Sequence, residues 1–154
     1  MTVLVDDHDG YTPTPGVSHA ILRANRGKIG GVDDLPSGIG LADGIVVTPS
    51  HNPPYDGGFK YNPPHGGPAD SDATKVIAAA ANAYIRAGLA GVKRIPFARF
   101  RAAVPPYAFL LTFVADLATV VVTPPVQAAG HRTVPAPLGG RSVASRGSLS
   151  SRPG

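Results

Sequence analysis

One stretch of this 154-residue chain has residue types and spacing that state a chemistry: Gly44 to Tyr61, GIVVTPSHNPPYDGGFKY, which carries Ser50, His51 and Lys60. A hydroxyl, an imidazole and an amine are thus gathered on one loop, with Thr48 and Asn52 beside them as further hydrogen-bonding groups. The flanking residues have to position them. Ile45, Val46 and Val47 are adjacent and β-branched, which suits a buried strand, and Thr48-Pro49 stops it by removing a backbone donor. Ser50 is therefore expected at a strand end. Pro53-Pro54 favours an extended lead-in and Asp56-Gly57-Gly58 a tight return turn, which should bring Lys60 toward the space that Ser50 faces. Taken alone, the loop has a plainer account as well, because Thr48, Ser50 and Asn52 could simply bond their own backbone.

A longer match adds to this reading. Thr48 to Asp70, TPSHNPPYDGGFKYNPPHGGPAD, resembles the phosphoserine loop of the α-D-phosphohexomutases, specifically the bacterial phosphoglucomutases, whose pattern reads TPSHNPPxDGG(I/F)KYNPPxGGPAD. YTPTPGVSHAILRANRG, from Tyr11 to Gly27, is similar to an earlier segment of the same family, and Phe113 to Leu117, FVADL, followed by PLGGRSV at 137–143, resembles the family's start of a second domain. The match weakens there. Ala136 stands where the family usually has Asp, and Thr123-Pro124-Pro125 interrupts a place where the family continues into a helix, whose interior tolerates proline at a cost of about 3 kcal/mol or more.

The resemblance implies phosphoryl exchange between the 1 and 6 positions of a hexose. Ser50 would carry the phosphoryl group, Lys60 would act as general acid or base to the sugar hydroxyl, and His51, Asn52 and Thr48 would orient the loop or contact phosphate. The expected ligands are glucose 1-phosphate, glucose 6-phosphate and glucose 1,6-bisphosphate, with Mg2+ bound partly through the phosphate on Ser50. Intact family members have four domains, with the metal aspartates in a DGDxDR loop of the second, sugar specificity in the third and a phosphate clamp in the fourth. None of these later loops occurs in this sequence, nor does the opening segment with its active-site arginine. The expectation is an α/β fold, the C-terminal half of a first domain with a mixed sheet and flanking helices over residues 1–98, an incomplete, poorly ordered start of a second over 99–140, and a disordered tail over 141–154. The alternative function is an inactive remnant or a phosphosugar-binding module without turnover.

Composition bounds the rest. Seventeen prolines and nineteen glycines make the chain rich in turns, and with no cysteine there are neither disulfides nor thiolate metal sites. Residues 1–83 hold nine Asp and five Lys or Arg, whereas 84–154 hold one Asp and nine Lys or Arg. A basic half can attract nucleic acid or anionic lipid. The preferred account is loss of acidic partners from a truncated chain, so no nucleic acid is expected. Tyr107 to Val122 is nearly uncharged, but it is short for a membrane span and contains Asp116, at roughly +2.5 to +3.5 kcal/mol for a central position. A buried element and a cytoplasmic protein are expected, and the N-terminus lacks the pattern of a secretory signal.

Locally, Val3-Leu4-Val5 reads as a strand leading into Asp6-Asp7-His8-Asp9-Gly10, a solvated turn with no EF-hand glutamate to complete it. Thr14 is the expected cap of a helix with Val17, Ile21 and Ala24 on its buried stripe, in which His19 is a packing or surface residue. Gly27 to Gly40 reads as a loop, and Asp70 or Ser71 caps a helix whose face Ala73, Val76, Ile77, Ala80 and Tyr84 should be core. Val92 to Phe97 is expected to be a strand.

Overall fold

The computed structural model describes residues 2–8, 10–28, 40–49, 53 and 55–119, and the fold is α/β. Its organising element is α1 (Thr14–Asn25), which carries Pro15 in its first turn, where the missing N–H leaves no hydrogen bond unmade. Pro13, not Thr14, occupies the cap position, and no side chain caps the helix. The extended backbone of Pro13 already turns the chain into the helix, so the threonine becomes the first helical residue.

Two faces of α1 are used. Val17 and Ile21 meet β2 (Gly44–Val47), which pairs antiparallel with β3 (Phe59–Asn62) in the register Gly44↔Asn62, Ile45↔Tyr61, Val46↔Lys60 and Val47↔Phe59. The approach is close: a Cβ on Gly44 would stand 2.8 Å from Ile21 Cδ1 and 3.0 Å from Val17 Cγ1. The face carrying His19, Arg23 and Arg26 meets α4 (Phe109–Asp116), the apolar segment that the sequence marks as buried. Ile21, Val46 and Val114 are the buried apolar side chains among the described residues, each worth roughly 1.5 to 3 kcal/mol on leaving water.

A second, parallel pair joins β1 (Val5–Asp6) to β4 (Pro106–Tyr107), with Val5 opposite Pro106 and Asp6 opposite Tyr107. Both this pairing and the packing of α1 on α4 cross position 98.

Two further expectations are corrected. Residues 92–96 form no strand, and Phe97 opens α3 (Phe97–Ala103) instead. Pro96 lacks the N–H a ladder would use and sits naturally ahead of a first helical turn. In α2 (Ser71–Arg86) no residue is buried, and Val76, Ile77 and Tyr84 are exposed. The periodicity does form the helix, and Asp70 caps it by accepting from the Ala73 amide at 2.8 Å. Among the described residues no side chain of its apolar face is buried. The segments 120–154 and most of 27–40 lie outside the described residues.

Candidate functional site

The β2–β3 hairpin presents the loop that carries the sequence-derived site. Beyond the ladder itself, the Thr48 amide donates to the Gly58 carbonyl at 2.9 Å, so the strands stay paired up to the base of the loop. Gly58 is required there, because a Cβ would stand 2.1 Å from the Thr48 carbonyl oxygen. At the tip, the Asp56 amide donates to the Pro53 carbonyl at 2.9 Å and closes a tight turn.

Thr48 is half-buried at this base. Lys60 sits on β3 directly opposite Val46, and opposed residues of an antiparallel pair share a face, so its Cα lies on the side of the hairpin that meets α1 while its side chain is exposed. Ser50, His51 and Asn52 lie outside the described residues.

Two buried asparagines that the sequence reasoning passed over tie this hairpin to α1. Asn25 Nδ2 donates to the carbonyls of Ala42, at 2.8 Å, and Pro64, at 2.9 Å, while its Oδ1 accepts from the Ala42 amide at 2.7 Å. Asn62 Nδ2 donates to Ser18 Oγ at 3.3 Å and to the Gly66 carbonyl at 3.0 Å. A signal existed: Asn25 falls four residues after Ile21, on the apolar stripe itself, where a polar residue has to find partners. At the outer edge Tyr61 donates its hydroxyl to Asp43 at 3.0 Å, and partial burial together with that carboxylate raises the phenol's pKa.

Two other charged groupings lie away from the loop. Asp116 Oδ2 takes His19 Nε2 at 3.1 Å, Arg23 at 3.2 Å and Arg26 at 3.5 Å. The His19 bond, with the two guanidinium groups, holds the Asp116 carboxyl below its ordinary value, and His19 also packs edge-on against Phe113. His19 is thus a packing residue, as its helical position suggests. Asp6, Asp7 and His8 could together offer three ligand atoms to a cation. Burial alone would raise the Asp6 pKa, yet the amides of His8 and Gly10 and the Thr12 hydroxyl bond its oxygens and bring it below the ordinary value. Those oxygens are committed to a turn, in keeping with the solvated turn read from the sequence.

Residues 2–87, which include α1, the hairpin and α2, match the family described as phosphoglucomutase/phosphomannomutase, alpha/beta/alpha domain I. The chain belongs to this family. A phosphoglucomutase of Komagataeibacter xylinus is 48% identical over 145 residues, covering 93% of this chain and 24% of the relative. The chain therefore spans about a quarter of that relative's length. Among the described residues no helix is long and apolar enough to cross a membrane.

Proposed function

We propose that this chain carries the phosphoserine half of a phosphoglucomutase-type reaction, interconverting glucose 1-phosphate and glucose 6-phosphate in the cytoplasm through glucose 1,6-bisphosphate. The observation that supports it is the uninterrupted loop motif from Thr48 to Asp70 on a hairpin that belongs to the family's domain I. In the forward half-reaction a sugar hydroxyl oxygen attacks the phosphorus on Ser50. The new phosphorus–sugar oxygen bond forms as the phosphorus–Oγ bond breaks, and the hydroxyl proton passes to Lys60. Recovery of the group from the other end of the sugar reverses each change. Thr48, His51 and Asn52 support the loop and its phosphate.

Family membership implies dependence on a divalent cation, which would neutralise charge on the transferring group when bound. The residues present do not complete such a site. The DGDxDR aspartates are absent from the sequence, and the Asp6–Asp7–His8 grouping belongs to the β1 turn with the Asp6 oxygens occupied. No step is therefore routed through a metal here. Residues 1–98 are read as the part of domain I that bears the loop, 99–140 as the start of a second domain whose α4 docks back on α1, and 141–154 as a tail.

Coverage of 24% of the relative favours a second reading for the isolated chain: it accepts a phosphoryl group on Ser50 but does not turn over glucose phosphate. One positioned electrostatic group is worth about 3 to 4 kcal/mol, far less than phosphoryl transfer requires. The test is incubation of the purified chain with labelled glucose 1,6-bisphosphate and magnesium, followed by mass mapping of phosphoserine and an assay of glucose 1-phosphate conversion. Label on Ser50, lost in Ser50→Ala, without conversion is the expected result. Serine-dependent conversion at the rate of a full-length mutase would overturn the fragment reading, and label elsewhere would overturn the phosphoserine assignment.

A further inference from the structure

Hydrophobic pattern does not explain which way the hairpin faces. Ile45, Val47 and Phe59 project to solvent with 59%, 69% and 63% of their surface exposed, while the side toward α1 carries Gly44, Val46, Lys60 and Asn62. A slip of one residue between paired strands flips every side chain of the slipped strand to the other face. A slipped β3 would bring Phe59 and Tyr61 toward α1, which apolar burial favours, and would carry Lys60 away. A two-stranded hairpin has little stability of its own with which to resist this.

We infer that Asn25 and Asn62 are positioning residues that hold the hairpin in register and so place Lys60. Asn25 bonds both strand approaches at once, Ala42 ahead of β2 and Pro64 after β3, and is 2% exposed. Its contacts fix the two strands along their own axes relative to a single point on α1. Asn62 ends β3 and bonds Ser18 on α1 and Gly66 in the following turn, so a slipped β3 would leave its buried amide unpaired. The role in phosphoryl transfer rests on the reading of Lys60 as general acid or base; the role in register does not.

The two claims are tested separately on the whole chain. The Thr48–Gly58 bond sets the alternation of the ladder, which makes Val47–Phe59 and Ile45–Tyr61 non-hydrogen-bonded pairs with close Hα atoms. In the unaltered protein both Hα–Hα Overhauser contacts are expected. In Asn25→Ala they should weaken, with a contact from Ile45 to Lys60 or Asn62 appearing. Retention of both contacts at full intensity in that variant overturns the inference. Should Asn25→Ala fail to fold, amide exchange in the unaltered protein decides: Ala42 must be protected as well as the β2–β3 ladder, and exchange at the rate of an open chain overturns the inference. For the reaction, Lys60→Ala should slow Ser50 phosphorylation by about 100-fold or more. Asn25→Ala should approach that loss, and the double variant should lose no more than Lys60→Ala alone, whereas additive losses would overturn action through Lys60. If even the unaltered chain takes up no phosphoryl group, the phosphoserine reading fails and the Overhauser result still decides the register.

Discussion

Replacing Gly58 by alanine tests whether the base of the loop is as closely built as the hairpin geometry states. The added Cβ would stand 2.1 Å from the Thr48 carbonyl oxygen, 3.1 Å from its carbon and 3.5 Å from Pro49 Cα. All three are backbone atoms, so no side chain can swing aside. To restore even a 3.0 Å separation the strands must part by roughly 1 Å where the Thr48 amide now donates to Gly58. Overpacking of this kind costs about 1 to 3 kcal/mol, and loss of the hydrogen bond about 0.5 to 1.5 more. A total of about 2 to 4 kcal/mol should lower the melting temperature by roughly 10 °C for a domain of this size. Gly57→Ala is the control, because nothing lies within 4 Å of its Cβ, and removing glycine flexibility from the unfolded chain should leave stability unchanged or slightly raised. Calorimetry or thermal circular dichroism reads both variants, and equal melting temperatures would refute the close approach. The same strain displaces the loop, so Ser50 phosphorylation should fall in Gly58→Ala and persist in Gly57→Ala.

Acid should undock α4 from α1. The pKa of Asp116 lies below 3.8, chiefly through the His19 bond, so its stabilising contribution is complete above that ordinary value and is lost as pH falls through the lowered folded value. Amide exchange of α4 followed from pH 6 to pH 2 should show this loss, and Asp116→Asn should remove the pH dependence; an unchanged acid profile in that variant would sink the assignment. Asp70→Ala removes the acceptor that caps α2 and should destabilise that helix by about 1 kcal/mol, read as faster exchange of the Ala73 amide and its neighbours, with exchange unaltered if the cap is idle.

What could be read from the residues alone is the chemistry that acts over a few positions. Pro15 falls in the first turn of α1, Asp70 caps α2, and the apolar run at Ile45 to Val47 is a strand, although only Val46 of the three is buried; the turn expected at Asp56-Gly57-Gly58 closes earlier, with the Asp56 amide on the Pro53 carbonyl. Periodicity also gave α2 its helix, but a period shows which face favours burial, not whether anything lies against it. Val76, Ile77 and Tyr84 form the expected face and are exposed. The strand expected at 92–97 failed for a related reason, since β-branched and aromatic residues form a strand only when a neighbour accepts their ladder, and Pro96 offers no donor to one.

The orientation of the site was the least legible part, and the hairpin shows why. Alternation along β2 and β3 divides the side chains into two sets without saying which set turns toward α1. Side-chain apolarity favours Ile45, Val47 and Phe59 for the inner face, and they lie on the outer one. What selects the observed face is local and polar. Gly44 allows the helix within contact distance of the strand, where a side chain would strike Ile21, and in this arrangement buried Asn25 bonds through both its amide nitrogen and its oxygen and buried Asn62 through its amide nitrogen. An unpaired buried amide costs about 1 to 3 kcal/mol, comparable with the burial of one aromatic or aliphatic side chain, so the two hydrogen-bonded asparagines, together with the close approach at Gly44, offset much of the apolar preference. Lys60 therefore owes its place beside the loop to residues that have no chemistry of their own.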